Sequence, residues 1–321
     1  MCSTPSRCRP QCRWRERATV NILLLGPHGQ VGWELQRALA PLGTVVTAGR
    51  GKTAHELVDL SAAGASAALL VLAQRVQPGL IVNAAAHTAV DRAEGEPERA
   101  RAINAEAPAA LAGYAASAGV PLVHFSTDYV FDGSGSHARI EAAATGPLNV
   151  YGHSKLQGEE AIRASGCMHL ILRTSWVYAA RGGNFARTML RLAAERDKLN
   201  VIDDQVGAPT GAELLADVTS HAVRRLLADT SVSGTYHCAA SGFTSWHGYA
   251  SHVLMHAAAH GVALKVGAGA LRAIHTSDYP TPARRPLNSR LDCSKLQHTF
   301  GVQMPPWQQG VDRMLSEVLG A

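Results

Sequence analysis

Tyr151 and Lys155 stand four residues apart in PLNVYGHSKLQGEE, residues 147–160, where the pattern reads as the first turns of a helix. That spacing puts both side chains on one helical face, so a phenol and an ammonium can converge. A tyrosine ordinarily keeps its proton until pH ~10. An ammonium ~4 Å away, at an effective dielectric of ~20, is worth up to ~4 kcal/mol, or ~3 pKa units before desolvation and screening subtract from it. The chemistry expected is general-acid catalysis near neutral pH, with Lys155 making the Tyr151 phenol more acidic. Alone, the pair is equally an ordinary surface pairing, and only its surroundings decide.

Those surroundings are a regular alternation of short apolar runs and helical stretches. VNILLLG reads as a buried strand, QVGWELQRALAPLG as a helix ended by glycine, and TVVTAG as a second strand. Further strands are expected at 80–85, 121–126 and 169–175, and helices near 211–228 and 245–260. Strands buried on both faces and alternating with helices imply an α/β fold with a doubly wound parallel (Rossmann) sheet. After about residue 200 the rhythm loosens into loop-rich segments such as VIDDQVGAPT and DYPTPARRPLNSRL. The expected division is a disordered leader over 1–19, a nucleotide-binding domain over 20–200, and a C-terminal region over 201–321 that is mainly a smaller substrate-binding lobe.

The first strand runs into GPHGQVG, with glycines at 26, 29 and 32. Gly26 allows the tight turn, Gly29 lets the backbone approach a pyrophosphate, and Gly32 lets helix and strand pack closely. His28, Gln30 and Val31, which fill the motif, are assigned to the same cofactor site. The second strand ends at Arg50, where a cofactor preferring NAD would normally meet an acidic residue. A guanidinium there suits a 2′-phosphate and so NADPH; the other reading is a solvated arginine with NADH also accepted. Asp59, with Leu60 beside it, can accept from an adenine amino group or simply hold a turn. Ala84, Ala85 and Ala86 end a strand with side chains small enough for a cofactor to pass close to the backbone. Ser126, Thr127 and Asp128 emerge at the next strand end, where parallel sheets place their ligands. His87 reads as a satisfied loop histidine, and Asn104 as a turn cap or a holder of water behind the lysine.

Composition narrows the function class. The chain of 321 residues carries a net charge of +5, but residues 1–20 hold five arginines and one glutamate, leaving 25 basic against 24 acidic groups elsewhere. A nearly neutral body with no basic stripe argues against nucleic-acid binding. The longest apolar stretch, AALLVLA at 67–73, is too short to cross a bilayer. Three of six cysteines lie in the leader at 2, 8 and 12 in no zinc spacing, and the other three are scattered, which suits a reducing cytoplasm. His252, His256 and His260 form a helical stripe without a carboxylate partner, read as a solvated polar face.

NAAAHTAVDRAE, STDYVFDG, PLNVYGHSKLQGEE, RTSWVY, DDQVGAPT and YPTPARRPLNSRL together resemble the extended short-chain dehydrogenase/reductase superfamily and, within it, the dTDP-4-dehydrorhamnose reductase family, over about 21–315. The resemblance implies hydride transfer from NADPH to the C4 ketone of dTDP-4-dehydro-β-L-rhamnose, feeding cell-surface polysaccharide such as lipopolysaccharide O-antigen. It places the catalytic set on Thr127, Tyr151 and Lys155, the last two also holding the nicotinamide ribose. It places the sugar pocket on Val90, Thr127, Asp128, Tyr129 and Trp176, with Arg285 and Asn288 as diphosphate or substrate contacts. It further implies a cytoplasmic homodimer; some relatives hold Mg2+ through glutamates at a dimer interface, and no such cluster is placed from this sequence. The chain departs from the family in reading SGSHARIEAA after FDG and in its arginine-rich leader.

Two other functions compete. An epimerase or dehydratase of the same superfamily typically follows the threonine with Asp-Glu, whereas Asp128 and Tyr129 stand here. A close branch serves as the non-catalytic regulatory subunit of methionine adenosyltransferase, but the intact Thr127, Tyr151 and Lys155 favour an enzyme.

Overall fold

The structure, a computed structural model, describes residues 20–267 and 269–320. The expected leader lies outside the described residues. From Asn21 the chain alternates as its apolar runs require: β1 (Asn21–Leu25), α1 (Gln30–Leu39), β2 (Thr44–Gly49), β3 (Glu56–Leu57), α2 (Ala65–Val76) and β4 (Leu80–Asn83). Then follow α3 (Val90–Gly95), α4 (Pro97–Arg101), a π-helical turn (Ala102–Glu106), α5 (Ala107–Ala118), β5 (Leu122–Thr127), α6 (Val150–Ala164) and β6 (His169–Thr174).

The seven-stranded sheet, which also takes in a later strand, β11 (Gly234–His237), has the order β11-β6-β5-β4-β1-β2-β3, with every pairing parallel. Direction of travel reverses between β1 and β4, so the carboxyl ends of those strands open a crevice, the usual place for a ligand in such a sheet. One apolar layer fills each face: Leu24, Val82, Val123 and Leu172 point to one, and Leu23, Ile81, Leu122 and Ile171 to the other. That alternation along strands buried on both sides explains why they read as continuous apolar runs.

Beyond β6 the chain lays down β7 (Val177–Tyr178), α7 (Phe185–Glu195), β8 (Leu199–Ile202), β9 (Val206–Gly207), β10 (Thr210–Gly211), α8 (Ala212–Ala228), β11 (Gly234–His237), β12 (Thr244–Ser245), α9 (Trp246–Ala259), β13 (Leu271–Ile274), α10 (Ser294–Phe300) and α11 (Trp307–Leu319). The expected lobe is not continuous. Leu215, Ala222 and Val223 of α8 join the sheet's core, and β11 is the sheet's edge strand, so 212–237 packs with the nucleotide-binding domain rather than with the lobe. The lobe proper is built on α7, α9 and α11 around Tyr249, Val253 and Trp307.

Candidate active site

The crevice begins at the glycine turn. Gly26 has φ +77°, and a Cβ there would lie 2.7 Å from the Ala85 nitrogen; one at Gly32 would lie 2.0 Å from the Gly26 oxygen. Both positions therefore exclude side chains, and α1 begins hard against the strand end. Gly26, His28, Gly29, Arg50, Asp59, Leu60, Ala84, Ala85 and Ala86 line a cavity of about 600 Å3. A second cavity, about 470 Å3, shares Gly29, Ala84 and Ala86 with the first and adds Gln30 and Val31. Gly32 lies behind the turn and lines neither. Asp59 spends Oδ1 on the Ser61 amide at 2.9 Å and hydroxyl at 2.7 Å, bonds that lower its pKa.

Thr127, Tyr151 and Lys155 all line the second cavity, together with Val90, Asp128, Tyr129 and Trp176. Asn149 caps α6 by accepting from the Gly152 amide at 2.8 Å, and a Cβ at Gly152 would lie 2.3 Å from the Tyr129 oxygen. The helix thus delivers Tyr151 directly over the end of β5. Thr127 donates to Asp128 Oδ1 at 3.1 Å, and the Tyr129 ring meets Tyr151 edge-on at 5.6 Å.

The electrostatics of this group differ from the expectation. Burial, with the Asp128 carboxylate adding to it, pushes the Tyr151 phenol up to about 12, while a hydrogen bond from Thr127 pulls the other way. Lys155 does not lower it, because its Nζ is engaged elsewhere, reaching the Phe125 carbonyl at 2.5 Å and His124 Nε2 at 3.0 Å. Burial drops Lys155 itself to about 8, with Glu159 opposing. The Coulombic figure from spacing was an upper limit before desolvation, and desolvation of both partners is the larger effect here. Asp128 is pushed by burial up to about 7, against bonds from Ser289 and Thr127. Its Oδ2 has no partner, nor have Gln30 Oε1 and Thr174 Oγ1 on the same cavity wall. Buried polar atoms left open at a cavity fit a polar ligand that supplies their bonds.

Neighbouring assignments resolve differently. Asn104 is fully buried and spent: Oδ1 accepts from the His87 amide at 2.8 Å, and Nδ2 donates to the His87 carbonyl at 3.1 Å and Ser154 Oγ at 3.0 Å. It clamps the 84–88 strand exit to α6. His87 faces Glu96 at 3.3 Å, as a loop histidine.

The lobe closes the far side. Trp176, with the left-handed φ of +48° that only a few non-glycine residues adopt, stacks on Trp246 at 3.6 Å. Gly207 lies against Trp176, where a Cβ would come within 2.8 Å of the indole. Trp246 lines the cavity and donates to Gln205 at 3.2 Å, and neither was singled out from the sequence; an aromatic residue opening a helix behind a serine cap was the available signal. Arg285 and Asn288 lie outside the cavity walls. Arg285 grips Asp91 through two bonds of 3.1 and 2.7 Å. Asn288 is buried and donates to the His137 carbonyl at 2.9 Å, so it fixes the unusual 134–143 loop rather than facing a ligand.

The histidine stripe has a carboxylate after all: Asp312 of α11 meets His252 at 2.6 Å and His256 at 3.2 Å, tying two lobe helices together. Burial and the carboxylates of Glu34, Asp217 and Glu317 hold Glu213 above the usual carboxylate range, with Arg313 opposing. Among the described residues, no three His, Cys, Asp or Glu groups are arranged to hold a metal ion, and no helix is long and apolar enough to cross a membrane.

The model of the RmlD substrate binding domain matches residues 20–319. The chain is 52% identical to the dTDP-4-dehydrorhamnose reductase of Escherichia coli K12 over 93% of its own length and 98% of the relative's. Identity to the enzyme of that name from Burkholderia thailandensis is 44%, covering 94% and 99%. A solved dTDP-4-dehydrorhamnose reductase from Bacillus anthracis, in complex with NADP, superposes with a TM-score of 0.80 at 30% identity, covering 93% of this chain and 99% of that one.

Proposed function

The chain belongs to the RmlD substrate-binding family, and on that premise we propose that it reduces the C4 ketone of dTDP-4-dehydro-β-L-rhamnose with NADPH, giving dTDP-β-L-rhamnose, with Thr127, Tyr151 and Lys155 as the reacting set. The observation that carries the assignment is one continuous crevice: its walls hold the glycine turn at one end and Thr127, Tyr151 and Lys155 at the other.

NADPH, when bound, supplies the hydride; the protein supplies position and the proton. The glycine turn and the amino end of α1 favour a pyrophosphate, Arg50 a 2′-phosphate in preference to NADH's free hydroxyl, and Lys155 the nicotinamide ribose. Thr127 and Tyr151 present hydroxyls to the ketone oxygen. A phenol held near 12 stays loaded with its proton at neutral pH and releases it once the ketone oxygen becomes an alkoxide, a stronger base. Asp128 Oδ2 is free to bond a sugar hydroxyl, and the paired indoles of Trp176 and Trp246 offer an apolar wall to a sugar face. Arg285 and Asn288 support the loops around that pocket. A cytoplasmic homodimer supplying O-antigen synthesis is the setting this reading proposes.

The test follows NADPH absorbance with dTDP-4-dehydrorhamnose for the native protein and Tyr151→Phe. Turnover falls by about a hundredfold or more, the scale of lost general-acid catalysis; a full rate in the variant removes Tyr151 from the mechanism.

A further inference from the structure

Behind Lys155 lies a buried chain of hydrogen bonds whose donors and acceptors can be assigned one by one. Asn83, at the end of β4, is 1% exposed, as is His124 in the middle of β5. The backbone amide of Ala85 points at Asn83 Oδ1 over 3.1 Å. A backbone N–H only donates, so the atom it meets must be the side-chain oxygen, and the Asn83 NH2 must face the other way. It faces His124 Nδ1 at 3.2 Å. An imidazole met by an N–H donor accepts at that nitrogen, so a neutral His124 carries its proton on Nε2. Burial holds His124 neutral, and a charge on Lys155 would only reinforce this. Nε2 lies 3.0 Å from Lys155 Nζ. An Nε2–H facing an ammonium is a donor against a donor; facing an amine it is a hydrogen bond to the nitrogen lone pair.

From this geometry we infer that Asn83 and His124 are positioning residues that set the protonation state of Lys155, stabilising its neutral amine before ligands arrive. The amine keeps one N–H on the Phe125 carbonyl, 2.5 Å away, and has another for the crevice. Charging Lys155 requires His124 to move its proton to Nδ1 and give up the Asn83 bond, so the resting enzyme resists the charged state. Other groups around the amine do not reverse this. Glu159, one turn along α6, favours the ammonium but is already bound by Arg173 and Arg163. Tyr151 on the same helix and Asp128 beyond β5 are both pushed toward their uncharged forms, and Asn104 behind α6 bonds Ser154 rather than Lys155. Burial of Lys155 acts in the same direction as the imidazole. The sequence reading passed over His124 as one more residue of a strand.

The consequence for turnover rests on the proposed reductase, in which a charged Lys155 holds the ribose; the proton assignment does not. The first measurement is therefore the 15N spectrum of histidine-labelled native protein without substrate or cofactor, with His124 assigned by its loss in His124→Gln. Protonated Nε2 and bare Nδ1 at pH 7 is the expected result; protonated Nδ1 overturns the inference whether or not the protein is a reductase. The second is the pH profile of kcat in Asn83→Asp. A carboxylate keeps the Ala85 bond but demands a proton on Nδ1, which turns Nε2 into an acceptor for the ammonium. The alkaline limb of the profile then moves up by about one pH unit or more, while a merely structural role lowers the rate at every pH without moving the limb. An unmoved or lowered limb in a folded, NADPH-binding variant overturns the inference. If Asn83→Asp does not fold, the native spectrum still decides.

Discussion

Two charged clusters are buried one helical turn apart on α6, and they are built in opposite ways. Glu159 takes bonds of 2.9 and 2.7 Å from Arg173 and a third of 2.9 Å from Arg163, and although burial pushes its carboxyl up, these guanidiniums hold it below the ordinary range. Lys155, the turn before, has only a carbonyl and an imidazole, and Asp128 across the cavity keeps an oxygen with no partner. The protein has matched the first cluster completely and left the second short of opposite charge. An unmatched buried charge costs several kcal/mol and survives where a ligand completes it. The contrast separates a group that holds β6 to α6 from groups at the cavity whose bonding the fold leaves incomplete.

The largest effect should come from breaking the matched cluster. Arg173→Met strips the fully buried Glu159 of two bonds, and it should cost about 3–5 kcal/mol of stability in urea denaturation. Lys155→Met should behave oppositely: unfolding free energy within about 1 kcal/mol of native, or higher, because a desolvated amine with no carboxylate bonded to it has been removed. If both variants lose comparable stability, the division between matched and unmatched charge fails.

Asp128 sharpens the comparison through pH. Its folded pKa of about 7 lies above the ordinary 3.8. For a carboxyl raised by folding, the stabilising contribution is intact below pH ~4 and is lost as pH rises to about 7, since the unfolded chain ionises freely while the buried site resists. Asp128→Asn removes that loss. Urea denaturation should show the variant more stable than native protein by about 2–4 kcal/mol at pH 8 and no more stable at pH 4. A difference independent of pH would mean that Asp128 is not the group resisting ionisation.

How much of this was legible beforehand follows from which interactions are local in sequence. The glycine turn, the strand ends at Ala84 and Thr127, and the shared face of Tyr151 and Lys155 are decided within a few residues, and all meet at one crevice. The state of the phenol was not legible, because desolvation depends on strands and loops far along the chain. Reading Lys155 as its partner ignored His124, thirty-one positions away in the chain and hidden in a run that looked wholly apolar. Arg285 and Asn288 show the same limit: the resemblance implies diphosphate or substrate contacts, while their bonds to Asp91 and the carbonyl of His137 depend on distant residues that no local pattern announces. The excursion inside the C-terminal region was not legible for a topological reason, since β11 returns to a sheet the chain had left at β6.

Arg50 extends the comparison to the surface, where the effect should be smallest. It is exposed at the mouth of the 600 Å3 cavity and makes no hydrogen bond or ion pair among the described residues. Like Lys155 it has no carboxylate bonded to it, with Asp59 acting on it only through space, but water already solvates it, so Arg50→Ala should not change stability. Its contribution should be visible only against a ligand that carries opposite charge at that point. A 2′-phosphate is such a ligand; a ribose 2′-hydroxyl is not. Solvent screening limits the attraction to about 1–1.5 kcal/mol, so the variant should bind NADPH about tenfold more weakly while its affinity for NADH stays within about twofold. Fluorescence titration with both cofactors measures the two constants side by side. Equal weakening of both would place Arg50 against a part common to them, such as the adenine ring or the pyrophosphate, and an unchanged NADPH affinity would make it a solvated arginine that waits for nothing.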